Sequence, residues 1–233
     1  MALMQGRSGS DNHLIYETMR LFVSLFAPNV MRVQVTANEK SLSLETVDVS
    51  ADRSGYLSTN PLGQVPALEL PDGTILTESL TICQYLDSIS APPFLFGDDA
   101  KERLTIAMWE RRAEMQLFNV GVDYGHHVHP MFANFFAQFP EYAATLVPKV
   151  NRAAKVFSDQ LEKMPYLTGD RFTAADITAC LGYLYLVGYG ALNADEWPAL
   201  QRWSTTILDR DSMATVRQMI AWFGKSSPKK NKK

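Results

Sequence analysis

The strand signals in this 233-residue chain all fall before Thr77, and none recurs beyond it. The first third can therefore build a sheet, while the rest must pack as helices. Met19 to Leu25 reads as a short buried strand. Pro28-Asn29 then punctuates the chain. Val30, Val33 and Ala37 keep helical spacing and predict a helix from Val30 to Lys40. Leu42 to Val49 alternates as a second strand. Strand, helix, strand in that order favours a parallel pair with a right-handed crossover. Ala51 to Gly63 is a polar loop with room for one helical turn. Val65 to Leu70 is a third strand, Pro71-Asp72-Gly73-Thr74 a tight turn centred on Asp-Gly, and Ile75-Leu76 a short fourth strand, so the last two form an antiparallel hairpin. A helix starts at Glu78 and runs through Ile82, Tyr85, Leu86 and Ile89. The pattern is α/β: a mixed four-stranded sheet with helices on it.

Ser90-Ala91-Pro92-Pro93 breaks this pattern and reads as a linker. Amphipathic segments follow at Lys101 to Val120, Tyr142 to Lys163, Thr173 to Val187, Pro198 to Leu208 and Ser212 to Phe223, which predicts an all-helical bundle. The expected divisions are a flexible extension over 1–18, an α/β domain over 19–90, a linker over 91–97, a helical domain over 98–224 and a lysine-rich tail over 225–233. Thr173 to Asp176 reads as a capping box, with Phe172 and Ile177 placed as a hydrophobic staple, a structural signal that opens a helix.

Composition bounds the function from outside. The net charge of −3 gives no global case for a nucleic-acid or anionic-membrane partner. Cys83 and Cys180 form no CxxC pair, which fits a reducing compartment. The stretch from Ile177 to Ala194 carries no charge, but its glycines, Asn193 and tyrosines read as a buried central helix rather than a membrane span. The segment from Met1 to Thr18 lacks the apolar core of a secretory signal. The expected location is cytoplasmic.

Two motifs point to a chemistry. One is Asn60-Pro61-Leu62-Gly63-Gln64-Val65-Pro66-Ala67-Leu68; the other runs from Thr77-Glu78-Ser79 to Tyr85-Leu86. Glu78-Ser79 opens a helix, whose free N–H groups and positive dipole end attract a carboxylate. Ser79 could instead only cap that helix, and Val65-Pro66 could only open an edge strand. In their order and spacing after a β-α-β unit, and together with Gly169-Asp170-Arg171-Phe172-Thr173-Ala174-Ala175-Asp176, these segments resemble the cytosolic glutathione transferase family over Met19 to Phe223.

The resemblance implies a thioredoxin-like N-terminal domain followed by an all-α helical-bundle domain. It implies glutathione as the bound peptide, with a cis Val65-Pro66 bond and main-chain pairing at Val65, as an added strand pairs. Gln64 would touch the glutathione backbone. The Ser79 hydroxyl would add a donor to the γ-glutamyl carboxylate, and Glu78 would balance the ammonium. The residue facing the sulfur departs from the family pattern. Ala27-Pro28 stands where several classes carry a hydroxyl or thiol, and Phe22 to Val30 holds no Tyr or Cys. Asn29 is the first candidate for stabilising the thiolate, with an ordinary helix N-cap as its other reading. Ser24 is second, though placed within the strand. The missing cysteine speaks against mixed-disulfide chemistry, and Cys83 reads as packing.

The helical domain is expected to wall a pocket for a hydrophobic electrophile, with Trp109, Arg112, Tyr124, His126, His127 and Phe132 as candidates. The histidine run from His126 to His129 matches no familiar zinc spacing, so no metal is expected. The implied protein is a homodimeric detoxification transferase. A glutathione-dependent isomerase or lyase remains open. So does a non-catalytic scaffold on the same fold, as elongation-factor and chloride-channel relatives illustrate.

Overall fold

The computed structural model describes residues 19–226. The expected extension over 1–18 and the lysines from Lys229 onward lie outside the described residues. The chain divides into two compact units, Met1–Ser90 and Ala91–Lys233.

The first unit is built on β1 (Arg20–Val23), α1 (Pro28–Glu39), β2 (Glu45–Asp48), the single-turn α2 (Arg53–Tyr56), β3 (Ala67–Glu69), β4 (Ile75–Leu76) and α3 (Ser79–Ser88). The sheet order is β2-β1-β3-β4. β1 and β2 are parallel, while β3 is antiparallel to both β1 and β4. Leu21 and Phe22 show why the first strand is apolar on both sides. Successive side chains point to opposite faces of a sheet. Phe22 joins Val49, Tyr56 and Ala67 in one cluster, with its ring 5.6 Å from that of Tyr56. Leu21 and Leu68, both fully buried, point the other way. α1 packs against α3 and buries Val30, Val33, Ile82 and Leu86.

The strands are shorter than the sequence suggests. The second begins at Glu45 rather than Leu42 and the third at Ala67 rather than Val65. In both cases the alternation continues past the hydrogen-bonded ladder.

The second unit holds α4 (Ala100–Ala113), α5 (Asn119–Val128), α6 (Pro140–Leu161), α7 (Ala174–Gly188), α8 (Pro198–Leu208) and α9 (Ala214–Ser226). A π-helical turn, Glu114–Phe118, joins α4 to α5, so the first helical run continues to Val128 rather than stopping at Val120. α7 is the buried centre, packed by α4, α5 and α8. Its Gly182 permits that closeness: a Cβ there would lie 2.6 Å from the Phe118 nitrogen. No helix among the described residues is long and apolar enough to cross a membrane.

The capping segment does more than open α7. Asp176 Oδ2 accepts the Thr173 N–H and the Thr173 hydroxyl, each at 3.0 Å. Its Oδ1 accepts the Leu167 N–H at 3.0 Å and the Trp203 Nε1–H at 3.1 Å. One carboxylate thus ties the preceding loop, the helix start and α8 together. Burial pushes its pKa up to about 6, against these four donors.

Candidate active site

The sheet topology gathers the implied ligand-binding segments at one end. The turn after β1, the start of β3 and the exit from β4 lie at the same edge, because β3 runs opposite to both neighbours. Ser24, Asn29, Val65, Glu78 and Ser79 all belong to those segments.

Ser24 follows the strand rather than lying in it. β1 ends at Val23, and the Ser24 carbonyl accepts the Ala27 N–H at 3.1 Å. Asn29 is the second residue of α1, behind Pro28, whose fixed φ suits a first helical position. The N-cap is Ala27, with no side-chain cap. The amide of Asn29 turns to α3 instead: the Ser79 hydroxyl donates to Asn29 Oδ1 at 2.9 Å. Thus the candidate thiolate donor and the candidate carboxylate anchor, 50 residues apart, are hydrogen-bonded to each other.

Glu78 is the N-cap of α3 and holds φ at +64°, a left-handed conformation uncommon for a residue with a Cβ. Such outliers persist where surrounding structure holds them, often at functional sites. The first bond within α3 is donated by Ile82 to the Glu78 carbonyl at 3.0 Å. The N–H groups of Ser79, Leu80 and Thr81 therefore precede the helical ladder, at the positive end of the dipole.

The Val65-Pro66 bond is cis. The β3 ladder starts at Ala67, so the Val65 N–H and C=O lie outside it. The loop before it is pinned by two residues to which no role was attached from sequence. Tyr56 Oη and Asn60 Nδ2 both donate to the Gln64 carbonyl at 2.7 Å. Asn60 is 4% exposed. Its burial in a Pro/Gly loop follows from this bond, which no local pattern announces. Cys83 is buried and receives the Thr36 hydroxyl at 3.2 Å, consistent with packing.

In the helical unit, Trp109 pairs with Arg112 and His126 with Phe132 among the six pocket candidates. Trp109 is buried edge-on against Phe157 at 5.3 Å, with the Arg112 guanidinium 4.9 Å above its ring. His126 stacks on Phe136 at 4.1 Å and meets Phe132 edge-on at 4.9 Å. His127 Nε2 lies 3.5 Å from Asp123 Oδ1. Tyr124 is half-buried in α5. Burial holds the His126 and His129 imidazoles below their usual pKa. A cavity of about 330 Å³ lies nearby, lined by His129, Leu184, Tyr185, Tyr189, Met219 and Phe223 among others, and by none of the six. Burial pushes the Tyr189 phenol up to about 12, so it is a neutral hydroxyl at physiological pH.

Comparison with known proteins identifies the family. Residues 21–94 match the glutathione S-transferase N-terminal domain, and residues 123–211 match the C-terminal domain. A glutathione S-transferase of Hyoscyamus muticus is 30% identical over 82% of this chain and 94% of its own. The chain belongs to the glutathione S-transferase family. Glutathione S-transferase 2 of Saccharomyces cerevisiae is 28% identical over 95% of both chains. A solved glutathione S-transferase from Methylobacillus flagellatus, with glutathione bound, superposes with a TM-score of 0.72 at 27% identity, covering 84% of this chain and 97% of that one. The thioredoxin-like sheet domain and the helical domain are those of the family, and the protein is accordingly a transferase.

Proposed function

We propose that the protein binds glutathione on its α/β unit and turns the thiolate on a small hydrophobic electrophile. The observation that carries this reading is the hydrogen bond between Ser79 and Asn29. It brings the start of α1 beside the start of α3, which supports a reading in which two helix N-termini face one ligand. The free N–H groups of α3 suit the γ-glutamyl carboxylate, and the exposed Glu78 suits the ammonium. Val65, outside the ladder, suits main-chain pairing with the cysteinyl residue, and Gln64 flanks that backbone. The Asn29 amide, at the start of a twelve-residue helix, suits the sulfur.

The aromatic cavity of the helical unit supports an apolar co-substrate. Its rings favour flat or hydrophobic molecules, and its neutral Tyr189 hydroxyl can donate to an acceptor group. The family habit of twofold dimers extends the proposal to a homodimer.

Calorimetry with glutathione and with S-methylglutathione tests the binding step, and turnover with an activated aryl halide tests the transfer. Binding of both ligands with conjugate formation is the expected result. Failure of both to bind at millimolar concentration would refute the reading.

A further inference from the structure

We infer that Gly125 sets the size of the helical unit's cavity by giving the Tyr189 ring room to lie against α5, and that the cavity opened in this way takes a two-ring planar aromatic co-substrate. This deepens the co-substrate reading above and rests on it.

Three glycines stand where α5 and the π turn before it meet α7, and they do different work. A Cβ on Gly182 would lie 2.6 Å from the Phe118 nitrogen and 2.8 Å from the Leu117 carbonyl carbon. One on Gly121 would lie 3.3 Å from the Gly182 oxygen. Both positions face backbone, so what they permit is the approach of two helices. Gly125 is different. The three atoms nearest to a Cβ there all belong to the Tyr189 ring: Cε2 at 2.4 Å, Cδ2 at 2.6 Å and Cζ at 2.9 Å. Atoms in a packed interior do not approach so closely, so any side chain at this position must displace the ring. The helix itself gives no reason for the glycine. Gly125 is buried within α5, where alanine would favour the helix by about 1 kcal/mol.

The ring that Gly125 admits is a wall of the cavity. Tyr189 caps the C-terminus of α7, with its ring stacked 6.0 Å from that of Tyr185 and 5.3 Å from that of His129. All three residues line the cavity, together with Met219, Ile220 and Phe223 of α9. His129 follows Gly125 by one turn and donates its N–H to the Gly125 carbonyl at 2.9 Å. The end of α5 therefore forms one corner with the Tyr189 ring. A ring pushed off Gly125 moves away from α5 and into the space that it borders. That space has a definite capacity. An apolar cavity of about 150 Å³ holds benzene. One of about 330 Å³ has room for two fused rings, and its aromatic walls favour a flat ligand, stacked or edge-on.

Four proteins test this: the wild type, Gly125→Ala, Tyr189→Ala and the Gly125→Ala/Tyr189→Ala double variant. Equilibrium dialysis reads the affinity of each for phenol and for naphthol, and calorimetry that for S-methylglutathione. The wild type should bind naphthol at least about tenfold more tightly than phenol, since the second ring buries further apolar surface. Gly125→Ala should weaken naphthol by about tenfold and phenol by less than about threefold, because only the larger ligand needs the crowded space. In the Tyr189→Ala background the same Gly125→Ala change should alter naphthol affinity by less than about twofold, because the atoms it would strike are gone.

Unaltered naphthol binding in Gly125→Ala would overturn the inference. So would an equal loss of both ligands, or a loss that persists in the Tyr189→Ala background and thereby assigns Gly125 to helix packing. If Gly125→Ala does not fold, the double variant decides: a folded double variant supports the ring contact, and an unfolded one beside a folded Tyr189→Ala overturns it. A wild type that binds phenol and naphthol alike overturns the two-ring class. If S-methylglutathione binds and neither aromatic does, this inference fails while the glutathione reading stands. If naphthol binds and S-methylglutathione does not, the glutathione reading fails on its own.

Discussion

In the proposed reading Asn29 offers the thiolate a neutral amide in place of the usual hydroxyl or thiol, and the strength of that one bond would set how acidic the bound thiol can be. One hydrogen bond from a neutral donor is worth about 1–1.5 kcal/mol, which corresponds to roughly one pKa unit. Asn29→Ala should therefore raise the bound thiol's pKa by about one unit, with S-methylglutathione affinity nearly unchanged. The rate should fall less than the thiolate fraction does, because a more basic thiolate is a better nucleophile, with a Brønsted slope of about 0.4–0.5 in thiol exchange. Ser24→Ala is the control; a pKa shift there and none at Asn29 would move the role to Ser24. At this scale the sequence identifies residue types but not their partners. Asn29 and Ser79 stand out through their neighbours in the chain, yet their bond spans 50 positions and has no local signature. The same holds for Tyr56 and Asn60 on the Gln64 carbonyl. The left-handed Glu78 is invisible for another reason: glutamate carries no preference for that conformation.

At the scale of elements, Asp176 shows one residue working for three segments. Asp176→Asn keeps an oxygen for Leu167 and Trp203 but sets an NH2 group against the two donors of Thr173. The expected loss in stability is about 1–3 kcal/mol, the cost of buried donors left unsatisfied, readable from urea unfolding. The pH dependence has a definite sign. The folded pKa of about 6 lies above the ordinary 3.8, so the folded state holds the proton more tightly. The Asp176 contribution is fullest below pH 4 and declines as pH rises through 6, by up to about 3 kcal/mol. The Asn variant should lack that slope; an identical slope in both proteins would contradict the assignment. The capping box itself was legible, because its spacing is local and chemically specific. Trp203 and Leu167 were not, since they meet Asp176 only through packing. Helix boundaries erred for similar reasons. The run from Ala100 to Val128 passes through a π turn that breaks the spacing at Val120, and the strand ladders stop before their apolar alternation does.

At the scale of the molecule, the chain splits into two compact units after Ser90, next to prolines and a change of periodicity in the sequence. The apolar cavity was not legible in the sequence, because its lining comes from three separated stretches of it. Several large side chains stay exposed, among them Leu62 at 72% and Phe135 at 72%. Exposed singly, such side chains are ordinary and do not by themselves mark a contact, so the proposed homodimer needs its own test. Light scattering at micromolar concentration should give twice the chain mass, and a monomer would count against the homodimer. The proposed function depends above all on whether this protein ionises glutathione without a Tyr, Ser or Cys in the usual place. Titration of the thiolate absorbance of glutathione bound to the wild-type protein addresses that directly. Free thiols of this type have a pKa of about 8.5, and Asn29 together with the α1 dipole should lower the bound value by about one to two units. A bound thiol that titrates with the free one would contradict the account.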